Sequence, residues 1–400
     1  MKLRLRYYNS LAALEKEYES IGCDLAGIKI MNQKGIFLTI KVEALQLRAA
    51  IILKQEMMAL GGEVVVSRDV MTLKPEKTDV LILGTEKQCQ KLIMKLYQQP
   101  FGCKELAEQL KTILEKRLYE EHGAWNIKER IFNFKKPIIM GIVNITPDSF
   151  SDGGKFLNPD TAIAQAKQLI AEGADILDLG AESSRPGSDP VSAEEELKRL
   201  LPVLQALKND NSIKIPISID TYKPEVAEAC LKHDADIIND ITGMQNPAMR
   251  KVAAERKVPV IMMHMQGTPK TMQENPQYND VVDDIISFFE QQITLCEQEG
   301  VTQIICDPGI GFGKTVEQNL EILKRLKEFQ ILGKPLLIGT SRKSFINKAI
   351  GGTPEDRVEG TIASNVIACM NGAHIFRVHD VKACKRALDL TNLIQNGEKK

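Results

Sequence analysis

The chain has 400 residues, 43% of them hydrophobic, 26% charged and 5% aromatic. That is the make-up of an ordinary globular protein and excludes a disordered or fibrous one. With 52 Lys and Arg against 53 Asp and Glu the formal charge is −1, so overall charge makes no case for nucleic acid or an anionic membrane as a partner. The length allows two or three domains, or a barrel of about 250 residues with a second unit attached.

The charge is spread unevenly. Residues 1–136 hold 23 basic and 17 acidic side chains, +6, and the remainder holds 29 and 36, −7, an offset that would suit docking between two units. No run of 18 apolar residues occurs, and residues 1–6 alternate basic with apolar, so neither a membrane span nor a signal peptide is expected. Eight cysteines, at 23, 89, 103, 230, 296, 306, 369 and 384, form no CxxC pair. They read as reduced thiols of a cytoplasmic protein.

Residues 1–120 predict a small α+β domain. Residues 36–42 alternate like a strand, and 45–60 carry a helical apolar stripe that stops at Gly61-Gly62. Strands are expected at 63–67 and 80–83, and helices at 86–98 and 103–119. Residues 121–135, charged and holding the only tryptophan, Trp125, read as a connector.

From residue 136 the pattern becomes regular. Short apolar runs at 137–143, 175–179, 215–219, 235–238, 258–263, 302–306, 335–338 and 373–378 alternate with helical segments such as 161–172, 193–209, 224–233, 279–299, 316–328 and 357–371. Asp160 and Gly173 read as the N-cap and C-cap of the first of these helices. Continuous apolar runs fit parallel strands buried on both faces. Eight strand–helix units predict an α/β fold, a (β/α)8 TIM barrel over 136–400, with an open doubly wound sheet as the alternative.

Such barrels carry their chemistry at the C-terminal ends of the strands. After the first run stand Asn144 and a polar loop through Gly154. After the second come Glu182, Ser183, Ser184, Arg185 and Pro186, and after the third Asp220. Asn239 and Asp240 follow the fourth, Met263 and His264 the fifth, and Asp307 through Lys314 the sixth. Ser341, Arg342, Lys343 and Ser344 follow the seventh, and Arg377 and His379 the eighth. Cations and hydroxyls gathered after the last two strands suit phosphate. Asp220, Asn239, Asp307 and Lys343 could grip a flat heterocycle by paired hydrogen bonds. Taken singly, Asp220 could be a helix cap, Asp307 a turn residue, and His264 and His379 core histidines. His374 lies within an apolar run and reads as structural. The glycines of 309–313 lack the spacing of a nucleotide-binding phosphate loop, and no ligand-spaced His/Cys cluster points to a metal. What favours a site is that all eight strand ends carry polar residues on one face.

These loops resemble those of dihydropteroate synthase along the whole barrel, about residues 137–395. The resemblance is carried by Met140 to Gly154, by Glu182 to Gly187, by Ile238 to Ile241, by Asp307 to Lys314, by Ser341 to Ser344, and by Arg377 to Asp380. It implies the condensation of a dihydropterin methyl diphosphate with 4-aminobenzoate, releasing dihydropteroate and diphosphate with Mg2+ assisting. It also implies the site residues. Asp220, Asn239, Asp307 and Lys343 would hold the pterin edge, with Met263 and Phe312 against the ring. Asn144, Ser183, Ser184, Arg185, Arg377 and His379 would bind diphosphate, and Asn144 would meet the metal. Phe150, Pro186 and Ser344 would line the 4-aminobenzoate pocket. Asp220, Asp307, Lys343 and Arg377 would be the catalytic set, and Asp148 or Asp152 could orient the amine. The loops 144–156 and 181–190 are expected to order only with diphosphate and metal. The second loop departs from the family pattern, with Ala181 and Ser184 where Gly and Thr are common, which bears on sulfonamide sensitivity.

A pterin-binding methyltransferase domain working with a corrinoid protein shares this barrel but needs no diphosphate contacts. A binding or scaffold protein with a retired barrel would have lost Asn144, Asp220, Asp307 or Lys343, and none is lost. Residues 1–135 lack the paired aspartates of a fused pyrophosphokinase. A docking, oligomerisation or stabilising role is expected there, and the barrel is expected to form a homodimer through outer helices near its C-terminal end.

Overall fold

A computed structural model describes all residues except 1, 5, 7, 9–10, 120–123, 128–129, 147–158, 184–187, 354–355 and 397–400. The chain separates into two compact units, Met1–Leu118 and Tyr119–Lys400.

The first unit contains α1 (Leu11–Ile21), α2 (Leu25–Gly35), β1 (Phe37–Gln46), α3 (Leu47–Ala59), β2 (Glu63–Val66), β3 (Lys77–Thr85), α4 (Glu86–Leu96) and α5 (Cys103–Tyr119). Its antiparallel sheet has the order β1-β3-β2. Sequence reading assigned nothing to α1 and α2. Of α2 only Ile28 is fully buried, so its apolar pattern is faint, although Asp24 caps it by accepting the Gly27 N–H at 2.8 Å. The helix expected from residue 45 starts two residues later, because β1 continues to Gln46 past a break in register between Val42 and Leu45. Ala44 takes a positive φ of 48° there and donates its N–H to Asp79 at 2.9 Å, which stabilises the bulge. Ala49, Ala50, Leu53 and Met57 of α3 pack with Ile82, Leu92 and Leu96 as this unit's core.

The second unit opens with a hairpin, β4 (Trp125–Ile127) and β5 (Arg130–Phe132), inside the stretch read as a connector. The eight expected strands follow as β6 (Ile138–Asn144), β7 (Ile176–Gly180), β8 (Ile217–Asp220), β9 (Ile237–Asp240), β10 (Val260–Met263), β11 (Ile304–Asp307), β12 (Leu337–Ile338) and β13 (Ile375–Val378). Each pairs in parallel with the next, β13 pairs with β6, and a parallel bridge from Cys306 to Leu336 joins β11 to the β12 segment. Consecutive order and closure define a TIM barrel and exclude the open sheet. Around it lie α6 (Pro159–Ala171), α7 (Ala193–Asn209), α8 (Pro224–Lys232), α9 (Pro247–Arg256), α10 (Val281–Gln298), α11 (Val316–Lys324), α12 (Ser344–Ile350), α13 (Arg357–Met370) and α14 (Val381–Asn396). The expected N-cap Asp160 lies inside the first turn of α6, since the helix starts at Pro159. Gly173, at φ +102°, ends it as expected, its N–H bonded to the Ile170 carbonyl.

Two apolar layers hold the barrel. Outside, strand residues such as Val143, Leu177, Ile219 and Val260 meet helix residues such as Leu204, Phe289 and Leu323. Inside, Met140, Ile176, Ile237, Ile261, Ile305, Leu337 and Ile375 close the lower end together with Trp125 and Ile127 of the hairpin. The Trp125 ring meets Phe134 edge-on at 5.9 Å, and Phe134 meets His374 at 5.6 Å. His374 accepts the Leu336 N–H at 3.1 Å, and burial lowers its pKa to about 4, so it is a neutral structural residue.

Candidate active site

Strand periodicity builds the site. Two residues beyond an inward-facing apolar residue the next side chain points inward again, one layer nearer the C-terminal mouth. Beyond Ile176 that side chain is Asp178. Beyond Ile237, Ile261, Ile305 and Ile375 it is Asn239, Met263, Asp307 and Arg377. A line of register partners runs Asn144, Gly180, Asp220, Asn239 across four strands. Glycine at 180 keeps the space between Asn144 and Asp220 open, since an added Cβ would touch the Asp220 side chain at 3.4 Å.

Arg377 lies between two carboxylates. Its Nε donates to Asp178 Oδ2 at 2.7 Å and its Nη2 to Asp220 Oδ2 at 2.6 Å. Asn239 Nδ2 donates to the same Asp178 oxygen at 3.1 Å. Burial pushes the Asp220 carboxyl up to about 7, opposed by Arg377 and reinforced by Asp178. Burial works against the Arg377 charge, but Asp178 and Asp220 outweigh it and hold the guanidinium ionised.

Asp307 and Lys343 form a second group. Asp307 accepts the Gly309 N–H at 2.8 Å, and burial raises its pKa against the pull of Lys343. Burial lowers Lys343 to about 8, with Asp307 opposing and Arg377 adding to the fall. The ammonium donates to the Ile310 carbonyl and stands 4.5 Å over the Phe312 ring, a cation–π contact. Phe312 borders an apolar cluster of Ile241, Met263, Met265 and Met272 at the mouth, a surface suited to a flat ring. A cleft whose lining includes Ser183, Asp220, Tyr222 and Ile241 opens beside this group.

The remaining candidates are placed less closely. Asn144 ends β6, and Ser183 follows β7 with its carbonyl accepting from Ser188. His379 Nδ1 lies 3.0 Å from Ser341 Oγ, and Ser344 is exposed at the start of α12. Arg342 is committed to Asp380, with its Nε 2.9 Å from Oδ2. Asp240 is structural: Oδ1 accepts from the Thr242 N–H and hydroxyl, and Oδ2 from the Met244 N–H. Phe150, Ser184, Arg185 and Pro186, with Asp148 and Asp152, lie outside the described residues.

One residue escaped sequence reading, and another, Lys314, was named at its strand end without a role. Asp178 is wholly buried in β7, and its signal was a carboxylate set between the apolar Leu177 and Leu179. Lys314 is 3% exposed and donates to the Phe312 carbonyl at 2.9 Å and the His264 carbonyl at 3.3 Å, with His264 Nδ1 at 3.1 Å. Three acceptors match the three donors of an ammonium, although burial lowers its pKa to about 7. His264, which burial and Lys314 push down to about 2, is neutral. Its Nδ1 faces a donor, so its proton sits on Nε2.

Comparison with known proteins bears on what this arrangement serves. The model of the pterin binding enzyme family matches residues 140–379. The dihydropteroate synthase of Escherichia coli (strain K12) is 48% identical over 254 residues, 63% of this chain and 89% of that protein. The chain belongs to the dihydropteroate synthase family. A crystal structure of the family's Yersinia pestis member, in a sulfonamide drug complex, covers 68% of this chain and 99% of that one at 40% identity, with a TM-score of 0.65. One relative of the family extends further. The bifunctional dihydropteroate synthase/dihydropteroate reductase of Helicobacter pylori is 35% identical over 370 residues, 92% of this chain and 93% of that protein.

Proposed function

We propose that the barrel unit condenses (7,8-dihydropterin-6-yl)methyl diphosphate with 4-aminobenzoate, giving 7,8-dihydropteroate and diphosphate as a transferase of folate biosynthesis. The observation that carries this reading is the Arg377 guanidinium held between Asp178 and Asp220, next to Asn239. It puts donors, acceptors and a fixed cation on one floor, as a pterin bearing an anionic leaving group requires.

The chemistry asks for little else. The breaking C–O bond leaves positive charge on the pterin methylene and negative charge on diphosphate, so the site gains most by holding both ends. Asp220, Asn239, Asp307 and Lys343 hold the pterin edge, while Met263 and Phe312 cover its ring. Arg377, His379 and Ser183, with Ser184 and Arg185, take the diphosphate. Phe150, Pro186 and Ser344 receive 4-aminobenzoate, whose amine is already a nucleophile, so no strong general base is required.

Mg2+ fits the donors present. Among the described residues no group of three or more His, Cys, Asp or Glu could hold a metal, and Asn144 brings a hard amide oxygen to the mouth. That is the chemistry of an ion carried mainly by substrate phosphate. When bound it would neutralise charge on the leaving group. The test is diphosphate release from the two substrates over a Mg2+ titration. Saturable release supports the reading, and none at any Mg2+ concentration sinks it.

We also propose a homodimer, because α13 and α14 expose Ile367, Met370, Leu390, Leu393 and Ile394 on the barrel's outside. Leu390→Glu with Ile394→Glu should halve the mass seen by sedimentation; an unchanged mass excludes this face. All eight cysteines are free thiols, which favours a reducing compartment such as the cytoplasm. No helix among the described residues is long and apolar enough to cross a membrane.

A second reading concerns the first unit. The H. pylori alignment, 92% of this chain, is longer than the barrel unit and must extend into residues 1–118. A reductase step acting on dihydropteroate is therefore worth assay. Addition of dihydropteroate should drive oxidation of a reduced nicotinamide or flavin cofactor by the full chain and not by Tyr119–Lys400 alone. No oxidation by either removes this reading.

A further inference from the structure

We propose that Asp178 is a positioning residue that fixes the direction of both Arg377 and Asn239 through one carboxylate oxygen. The inference rests on the reading of this floor as the pterin and diphosphate site.

Asp178 touches neither the mouth nor solvent. It is fully buried in β7, and its hydrogen bonds reach over neighbouring strands, to Arg377 of β13 beyond β6 and to Asn239 of β9 beyond β8. Oδ2 serves both partners, and Oδ1 makes no hydrogen bond among the described residues. A buried carboxylate is costly unless it is compensated, and the compensating charge here is the guanidinium it aims.

The consequence for Arg377 follows from counting donors. A guanidinium has five N–H groups in a rigid plane. Nε–H goes to Asp178 and one Nη2 hydrogen to Asp220, which among the described residues leaves three for substrate oxygens. Anchors on two strands fix the plane and its rotation about Cδ–Nε, so the free edge is set before substrate arrives. Such preorganisation removes the cost of ordering a long side chain during binding.

For Asn239 the consequence is one of polarity. One Nδ2 hydrogen is used by Asp178. Turning the amide over would set Oδ1 against the carboxylate, two acceptors with no hydrogen between them. The carboxylate therefore keeps Oδ1 turned away from it, as an acceptor. The ligand edge that meets Oδ1 must then supply an N–H, which a pterin does and an isosteric ring with a lone pair there does not; the second Nδ2 hydrogen can donate to an acceptor beside it.

The experiment compares wild type with Asp178→Asn, which keeps the shape and removes the charge. Two calorimetric titrations separate the partners: 6-hydroxymethylpterin reads Asn239, and inorganic diphosphate with Mg2+ reads Arg377. Both affinities should fall at least tenfold. In turnover, KM for the pterin diphosphate should rise at least tenfold while KM for 4-aminobenzoate stays within twofold, a split that general loss of folding would not produce. If Asp178→Asn does not fold, Asp178→Ser is read in the same titrations. Affinities within twofold of wild type, or an equal rise in both KM values, overturn the proposal. Failure of wild type to bind either probe overturns the site reading instead.

Discussion

Gly309 offers a sharp test of how the sixth loop is built. It has φ +70°, and a Cβ added there would lie 2.0 Å from the His264 carbonyl oxygen and 3.1 Å from its carbon. The left-handed conformation costs an alanine about 1–2 kcal/mol. The overlap is the larger effect: carbon prefers neighbours at roughly 3.5–4 Å, so backbone must give way by more than about 1 Å. The His264 segment is tied to this loop through the His264 N–H bond to the Asp307 carbonyl at 2.9 Å, so the displacement falls on Asp307 and Phe312. A misplacement of about 1 Å can cost on the order of 100-fold in rate. Gly309→Ala should therefore lose about 100-fold in kcat/KM for the pterin diphosphate. Gly300→Ala is the control, with φ +93° but its nearest contact at 3.9 Å, in the turn between α10 and β11 at the other end of the barrel. It carries the backbone strain alone and should keep kcat/KM. Diphosphate release measures the rates, and fluorescence of the single tryptophan follows unfolding. Gly309→Ala with kcat/KM within threefold of wild type refutes the close-packed loop as a determinant of the site.

Three further outcomes are expected. The free-enzyme profile of kcat/KM against pH should be bell-shaped. Asp220 gains a proton as pH falls through about 7, and Lys343 loses its proton as pH rises through about 8, so activity drops on both sides. Lys343→Arg should move the alkaline limb upward out of range, and a flat profile from pH 6 to 9 contradicts the assignment. Trp125→Ala should cost about 3–5 kcal/mol of stability, read as a lower Tm by calorimetry, with kcat/KM little changed because Trp125 plugs the end opposite the site; a large kcat/KM loss at full folding argues otherwise. A chain starting at Tyr119 should fold and turn over, whereas one starting at Lys135 lacks the hairpin and should melt lower. Equal melting of the two would deny the hairpin its place in the barrel core.

Local rules carry far along this chain. Eight apolar runs, the polar residues at the run ends and six of the helices between them were legible, because strands buried on both faces are apolar throughout and turn polar where they leave the barrel; α9, α12 and α14 were not named. The two N-terminal helices were not, since so little of their surface is buried. The hairpin was missed for another reason: Trp125 and Ile127 are apolar residues in a short charged stretch, and only the barrel end they fill makes them core.

The site divides in the same way. The sequence determined which side chains would stand at the mouth, since Asp220, Asn239, Asp307 and Lys343 each follow an apolar run and Arg377 stands near the end of one. Tertiary structure decided which of them meet. Arg377 and Asp178 are 199 residues apart and Arg377 and Asp220 157 apart, and no local pattern pairs a guanidinium with one carboxylate over another. Only barrel closure, which sets β13 beside β6 and turns both faces of the ladder into an inside and an outside, makes Asp178 an inward residue and Arg377 its partner.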